Sequence, residues 1–125
     1  MAMGEITARL RRGLGSWADG SAAEARELRT EAVRSGCMPI AEAPARERVQ
    51  LQGSLRTLTL RPRGGVPALE AELYDGTGTI TVVWLGRRRI AGIAPGRHLR
   101  VQGRVALHEG ERVIFNPRYE LRIGA

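Results

Sequence analysis

The sequence predicts a mainly β protein, a five-stranded antiparallel Greek-key barrel with an N-terminal α-helical extension. Three observations predict it. From Val49 onward, apolar and polar residues alternate over five segments, the pattern of strands buried on one face. The first segment is long and changes phase part-way, which lets one strand serve two parts of a curved sheet. Before residue 46 the pattern is helical, and Pro39 and Pro44 separate the two regimes. The chain is accordingly divided into residues 1–45, a helical extension and linker, and residues 46–125, the barrel.

The elements follow in order. Glu5 to Leu14 has the composition of a short basic helix, limited by Gly13, Gly15 and Gly20. Ser21-Ala22-Ala23-Glu24 has the form of a capping box, in which the Ser hydroxyl accepts from the N3 amide and the Glu reaches back. It predicts a helix over 22–35, with Ala25, Leu28 and Ala32 on one face and Gly36 at the left-handed C′ position. That stripe is thin, so the helix needs a surface to lean on: its own barrel, a partner or a second copy. Met38 to Ala45 reads as an extended linker.

Val49 to Arg56 alternates strictly. The phase then shifts near Thr57, so that Leu58 and Leu60 continue the inward set, and Gly53 eases the bend. Residues 61–67 form a Gly- and Pro-rich loop. Leu69, Ala71 and Leu73 mark the second strand, Asp75-Gly76-Thr77-Gly78 a tight hairpin, and residues 79–85 a β-branched third strand. Gly86 to Gly96 predicts a short helical turn, and residues 98–107 the fourth strand. Arg112 to Phe115 begins the fifth strand. Asn116-Pro117 interrupts it, leaving residues 118–121 as an edge or covering segment. A bent first strand followed by a tight hairpin suits a small closed barrel. An SH3-like barrel is the alternative, but it leaves the irregular segment before strand four unexplained.

Composition narrows the function. The chain has 125 residues, a mass of 13.7 kDa and one cysteine, Cys37. That excludes an intrachain disulfide and thiolate-rich metal sites. No metal ion or cofactor is expected. No apolar run approaches the roughly 20 residues of a membrane helix, and the first ten residues lack the apolar core of a signal peptide, so a cytoplasmic protein with no membrane partner is expected. The net charge is +7, and every basic residue is arginine. Residues 1–45 carry six arginines and six carboxylates. Residues 46–125 carry fourteen arginines against seven carboxylates, so the whole surplus lies there. That asymmetry points to a polyanionic partner.

One set of residues carries a family resemblance over about 46–121. It comprises Leu55-Arg56 through Arg61, Tyr74-Asp75-Gly76-Thr77-Gly78, and Val83-Trp84-Leu85-Gly86. It continues through Pro95-Gly96 into His98-Leu99-Arg100-Val101-Gln102-Gly103-Arg104-Val105, and ends at Asn116-Pro117-Arg118-Tyr119-Glu120. This resembles the oligonucleotide/oligosaccharide-binding (OB) fold, in particular OB domains of the tRNA-anticodon-binding type and the wedge domain of RecG-type helicases. The whole chain resembles small stand-alone OB-fold nucleic-acid-binding proteins of high-GC Gram-positive bacteria. Helicase motor motifs are absent, so the resemblance carries over no ATPase.

The resemblance implies a non-enzymatic module binding single-stranded DNA or RNA in the cytoplasm through arginine–phosphate contacts and limited stacking. The alternative is a protein-interaction or oligomerisation module using the N-terminal helix. The candidate residues fall into groups. Arg87, Arg88 and Arg89 form the densest charge cluster and suit phosphates. Arg61 and Arg63 lie on the loop between strands one and two, which flanks the ligand groove in OB folds. Arg56, Arg100, Arg104 and Arg112 occupy phases read as outward, and Arg118 joins them on the tail. Tyr74, Trp84 and Tyr119 are stacking candidates, although Trp84 shares its phase with Ile80 and Val82 and so reads more readily as core. Glu70 and Glu72 share the outward phase of Tyr74, which opposes phosphate binding there. No catalytic constellation is apparent: His98 and His108 stand ten residues apart, and Cys37 lies in another segment.

Overall fold

The linker is held to the barrel by a buried side chain, Asp75, that the alternation rules do not single out. The computed structural model describes residues 20–122; the short basic helix expected over 5–14 lies outside them. Residues 20–34 are helical (α1). Gly20 and Ser21 are already within the helix, so Ser21 is not its cap: a capping residue requires non-helical backbone. The C-terminal expectation holds. Gly36 adopts φ +75°; its N–H donates to the Val33 carbonyl at 3.0 Å, and the Cys37 N–H to the Ala32 carbonyl at 2.9 Å. This is a Schellman motif, and the buried Ala32 and Cys37 make the apolar contact that accompanies it.

The segment read as an extended linker contains a 3-10 turn, Ile40–Glu42. Ile40 is fully buried and, with Ala43, belongs to the barrel core. Asp75, at the end of the second strand and almost fully buried, holds that turn in place. Its Oδ2 accepts from the Ile40 N–H at 2.9 Å. Its Oδ1 accepts from the Thr77 N–H at 2.9 Å and the Thr77 hydroxyl at 2.6 Å. The Asp-Gly-Thr-Gly hairpin is thus both a turn and the clamp of the N-terminal segment.

The strands are β1 (Arg48–Leu60), β2 (Ala68–Tyr74), β3 (Thr79–Leu85), β4 (His98–His108), β5 (Glu111–Phe115) and β6 (Arg118–Arg122). They are ordered β1-β2-β3-β5-β4, and a β1–β4 pairing closes the barrel. Residues Arg48–Ser54 of β1 pair with β4, and Ser54–Leu60 pair with β2, with a register shift between Leu55 and Leu58. This is the bend expected near Thr57. Gly53 sits at the crossing, where a Cβ would collide with the Tyr74 carbonyl. β3 and β5 run parallel, and the remaining pairs are antiparallel. The β4–β5 hairpin turns on Glu109 and Gly110, both at positive φ, the type I′ geometry that matches strand twist.

One expectation in this part of the chain is corrected and one is met. Residues 86–97 form turns and bends, not a helical turn; Gly92 and Pro95-Gly96 interrupt any helical run, and Ile90 and Ile93 enter the core directly. The tail after Asn116-Pro117, expected as an edge or covering segment, is an edge strand, β6, paired antiparallel with β4. Asn116 makes the jog at φ +49°, and its Oδ1 accepts from the Leu85 N–H at 2.8 Å. Inside the barrel, Leu51, Leu55, Leu73, Val82, Leu99 and Ile114 are at most 1 % exposed.

Candidate functional site

Alternation leaves the barrel with two polar outer faces. The first is β1–β4–β6. Cross-strand partners point to the same side of a sheet, so the registers set the outward residues in rows. These are Arg48 with Arg104; Gln50, Gln102 and Arg118; Gln52, Arg100 and Glu120; and Ser54, His98 and Arg122. Five arginines therefore share a face with one carboxylate. Neutral amides interleave them: the Gln102 Nε2 donates to the Gln50 Oε1 at 2.7 Å, and the Arg100 Nε to the Gln52 Oε1 at 3.4 Å. Glu120 accepts from Arg122 at 3.4 Å, with the glutamate largely in water and the arginine about one-third exposed, so screening weakens that pair.

α1 lies along the β1 side of this face and runs antiparallel to β1. Glu24 is 3.3 Å from Arg56, the Ala25 backbone abuts Gly76, Glu31 is 3.5 Å from His98 Nδ1, and Cys37 Sγ accepts from Gln50 at 3.7 Å. Its buried stripe, Leu28 and Ala32, is the one read from the sequence, and the surface it leans on is its own barrel. Between α1 and β6 a groove opens above β4. Its wider part, about 730 Å³, is lined by Arg34, Arg100 and Arg122 with Ser35, Gln52 and Glu31. A smaller recess of about 150 Å³ continues it past Gln102, Arg118 and Tyr119.

The second face, β2–β3–β5, holds a cleft of about 410 Å³ between the β1–β2 loop and the β4–β5 turn. Arg61 and Arg63 meet Glu70, Glu109 and Glu111 there, beside Thr81 and His108. Arg63 donates to Glu70 at 3.1 Å, and its guanidinium lies over the Phe115 ring, 5.5 Å from the centroid. His108 meets the same ring edge-on at 6.4 Å. Beneath, Ala68, Val83 and Val113 form a small apolar cluster. Two arginines against three carboxylates leave this cleft short of positive charge.

The candidate residues separate accordingly. Arg100, Arg104 and Arg118 come together on the first face, joined by Arg48, Arg122 and, from α1, Arg34. Arg61 and Arg63 lie in the second cleft. Arg87, Arg88 and Arg89 are exposed on the β3–β4 connection, with no ion pair to a described residue.

Arg112 does not face outward. It shares the phase of Ile114, and its Nη1 donates to the Ile40 and Ala43 carbonyls at 2.6 and 2.9 Å. Its misplaced phase has a simple cause: Val113, the apolar neighbour, faces the outer cluster on β2–β3–β5. Trp84 is in the core, 5 % exposed, with Tyr119 packed edge-on at 5.8 Å. Tyr119 itself is 40 % exposed. Tyr74 points outward, but the Arg56 guanidinium covers one face of its ring at 4.2 Å.

The sequence reading passed over Arg34, Arg48 and Arg122. Arg48 and Arg122 stand in the same alternation as the candidates already chosen, so the signal was present; only the strand pairing shows that they converge. Among the described residues no helix is long and apolar enough to cross a membrane, and no group of three His, Cys, Asp or Glu side chains is arranged to hold a metal ion.

No family model matches the sequence, and no curated protein matches it. Solved structures do. RecG, in its complex with a three-way DNA junction, superposes with a TM-score of 0.60 and 20 % identity, over 70 % of this chain and 13 % of that chain. The chain thus corresponds to a small part of RecG. A replication protein A heterotrimer bound to single-stranded DNA aligns with a TM-score of 0.49 and 19 % identity, over 62 % of this chain and 58 % of that chain. The fold is an OB barrel. The β1-β2-β3-β5-β4 closure and the likeness to RecG agree on it.

Proposed function

We propose that the chain is a non-enzymatic nucleic-acid-binding module that grips the sugar–phosphate backbone with the outer β1–β4–β6 face, with single-stranded DNA or RNA favoured over duplex. One observation carries this reading: Arg48, Arg100, Arg104, Arg118 and Arg122 share one face with a single carboxylate. Guanidinium groups so placed meet phosphate oxygens by charge and by paired hydrogen bonds. The interleaved Gln50 and Gln102 add neutral donors suited to sugar and phosphate oxygens. RecG, whose OB barrel has the same fold, was solved on DNA. Arg87, Arg88 and Arg89 add positive charge from the β3–β4 connection, Arg61 belongs to the second cleft, and Tyr119, half-exposed against Trp84 at the β6 edge, offers a ring for a base.

The test is fluorescence anisotropy with labelled single-stranded DNA, single-stranded RNA and duplex at two salt concentrations. Binding is expected at low salt, weakening as salt rises because each neutralised phosphate releases counterions. Charge reversal at Arg87, Arg88 and Arg89 is expected to weaken binding less than reversal at Arg100 and Arg118. Absence of binding to all three probes at low salt overturns the reading.

A further inference from the structure

The groove between α1 and β6 has the dimensions of a path for one strand. Successive rows on β1, β4 and β6 stand two residues apart, about 7 Å at ~3.4 Å per residue. Each row presents at least one guanidinium: Arg48 and Arg104, then Arg118, then Arg100, then Arg122. One positive group per row, repeated four times along β4, suits the repeat of phosphates in an extended single strand. α1 supplies the wall. A helix with its side chains is about 10–12 Å across, and α1 lies over the β1 side of the last two rows, where Gln52 and Ser54 are almost fully buried. From that wall Arg34 faces Arg100 and Arg122 across the wider part of the groove, with Glu31 drawn toward His98 at 3.5 Å.

We infer that α1 is the specificity-determining element of this face: with β6 it makes a groove that admits one extended strand of about four nucleotides and turns away a duplex. The inference rests on the nucleic-acid-binding reading and adds to it a form of ligand and the element that selects it. A rigid duplex laid on the face meets α1 before its backbone reaches Arg100 and Arg122. It retains only Arg48, Arg104 and Arg118, which lie beyond the C-terminal end of the helix. A single strand reaches all four rows, and Arg34 adds a contact from the helix side.

The experiment uses the full chain, oligothymidylates of two to twelve nucleotides and a twelve-base-pair duplex, each titrated from low to moderate salt. Affinity is expected to rise steeply up to about five nucleotides, the shortest oligomer with four phosphates, and then level to the gentle increase from overlapping sites, with a log–log salt slope near −2.8, or about −0.7 for each of four phosphates. Duplex is expected to bind several-fold more weakly. Arg34→Ala, an exposed position on α1, is expected to weaken single-strand binding several-fold, leaving duplex binding unchanged. Arg104→Ala is expected to weaken both. Duplex binding as tight as single strand, or an Arg34→Ala loss equal for both ligands, overturns the inference while the reading stands. Failure of every probe to bind overturns the reading itself. A circular dichroism melt of each variant identifies any loss caused by unfolding.

Discussion

The two outer faces of the barrel are built by the same alternation and the same residue types, yet they differ in what their charges can do. On β2–β3–β5, Arg63 is held by Glu70 and lies over Phe115, and Glu109 and Glu111 stand opposite. Arg63 is thus answered within the fold, and Arg61 shares a cleft with the same carboxylates. On β1–β4–β6, Arg100 and Arg118 stand among neutral glutamines and Glu120, and Glu31, which shares the groove with Arg100, lies against His98, so their charge remains available to an external anion. A loop between strands one and two flanks the ligand groove in OB barrels generally, but here that groove is the less positive of the two. Arginine count alone is therefore a poor guide; the number of carboxylates within a few ångströms decides.

That contrast can be broken or sharpened by substitution. The largest effect is expected from Arg100→Glu with Arg118→Glu, which turns two attractive contacts into repulsive ones. Affinity for single-stranded oligonucleotides should drop at least about tenfold, with the salt slope reduced by about 1.4, whereas Arg61→Glu should cost less than threefold. Equal losses in the two faces would abolish the distinction between them.

Next comes a prediction about an arginine that serves the fold. Arg112→Ala takes the charged donor from the Ala43 carbonyl and one of two donors from the Ile40 carbonyl, which keeps the Ala43 N–H, and should destabilise the protein by about 1–3 kcal/mol, measured by chemical denaturation. Its salt slope for oligonucleotide binding should stay as in the parent. A changed slope would place Arg112 among the ligand contacts instead.

A smaller effect is expected from Glu70→Gln, Glu109→Gln and Glu111→Gln together. Removing three carboxylates raises the local potential, so nucleic-acid affinity should increase a few-fold at low salt and by little at physiological ionic strength, where the Debye length is about 8 Å. A tenfold gain that survives salt would show that the second cleft takes the ligand once its acids are gone. Smallest is Arg56→Ala. Its pairing with Glu24 is 3.3 Å long with both side chains about two-fifths exposed, so its loss should cost less than about 1 kcal/mol of stability in the same denaturation measurement.

Much of the architecture was legible in the alternation. Strands, the bend of β1 near Thr57, the β2–β3 hairpin and the C-terminal end of α1 all follow from local spacing and turn chemistry. The misreadings share a cause. Ile40 lies in a Pro-bounded stretch with no period, and its burial depends on Asp75, thirty-five residues away. Arg112 was misphased because β5 is flanked by apolar residues on both sides, Val113 outward and Ile114 inward. The expected helical turn over 86–96 yielded to its own glycines and Pro95. Of the candidate site, outward phases were readable for Arg100, Arg104 and Tyr74. That Arg100 and Arg104 meet Arg48, Arg118 and Arg122, and that Tyr74 is covered by Arg56, required the strand pairing.

Composition and period by themselves determined that this chain makes a basic β-barrel with a helix at its start, because hydrophobic alternation and turn residues act over a few neighbours. Tertiary structure alone decided which guanidinium groups are neutralised and which stand together, and against which surface the helix rests. Those outcomes depend on contacts between residues far apart in sequence, and the electrostatic energy of a group is set by its neighbours in space.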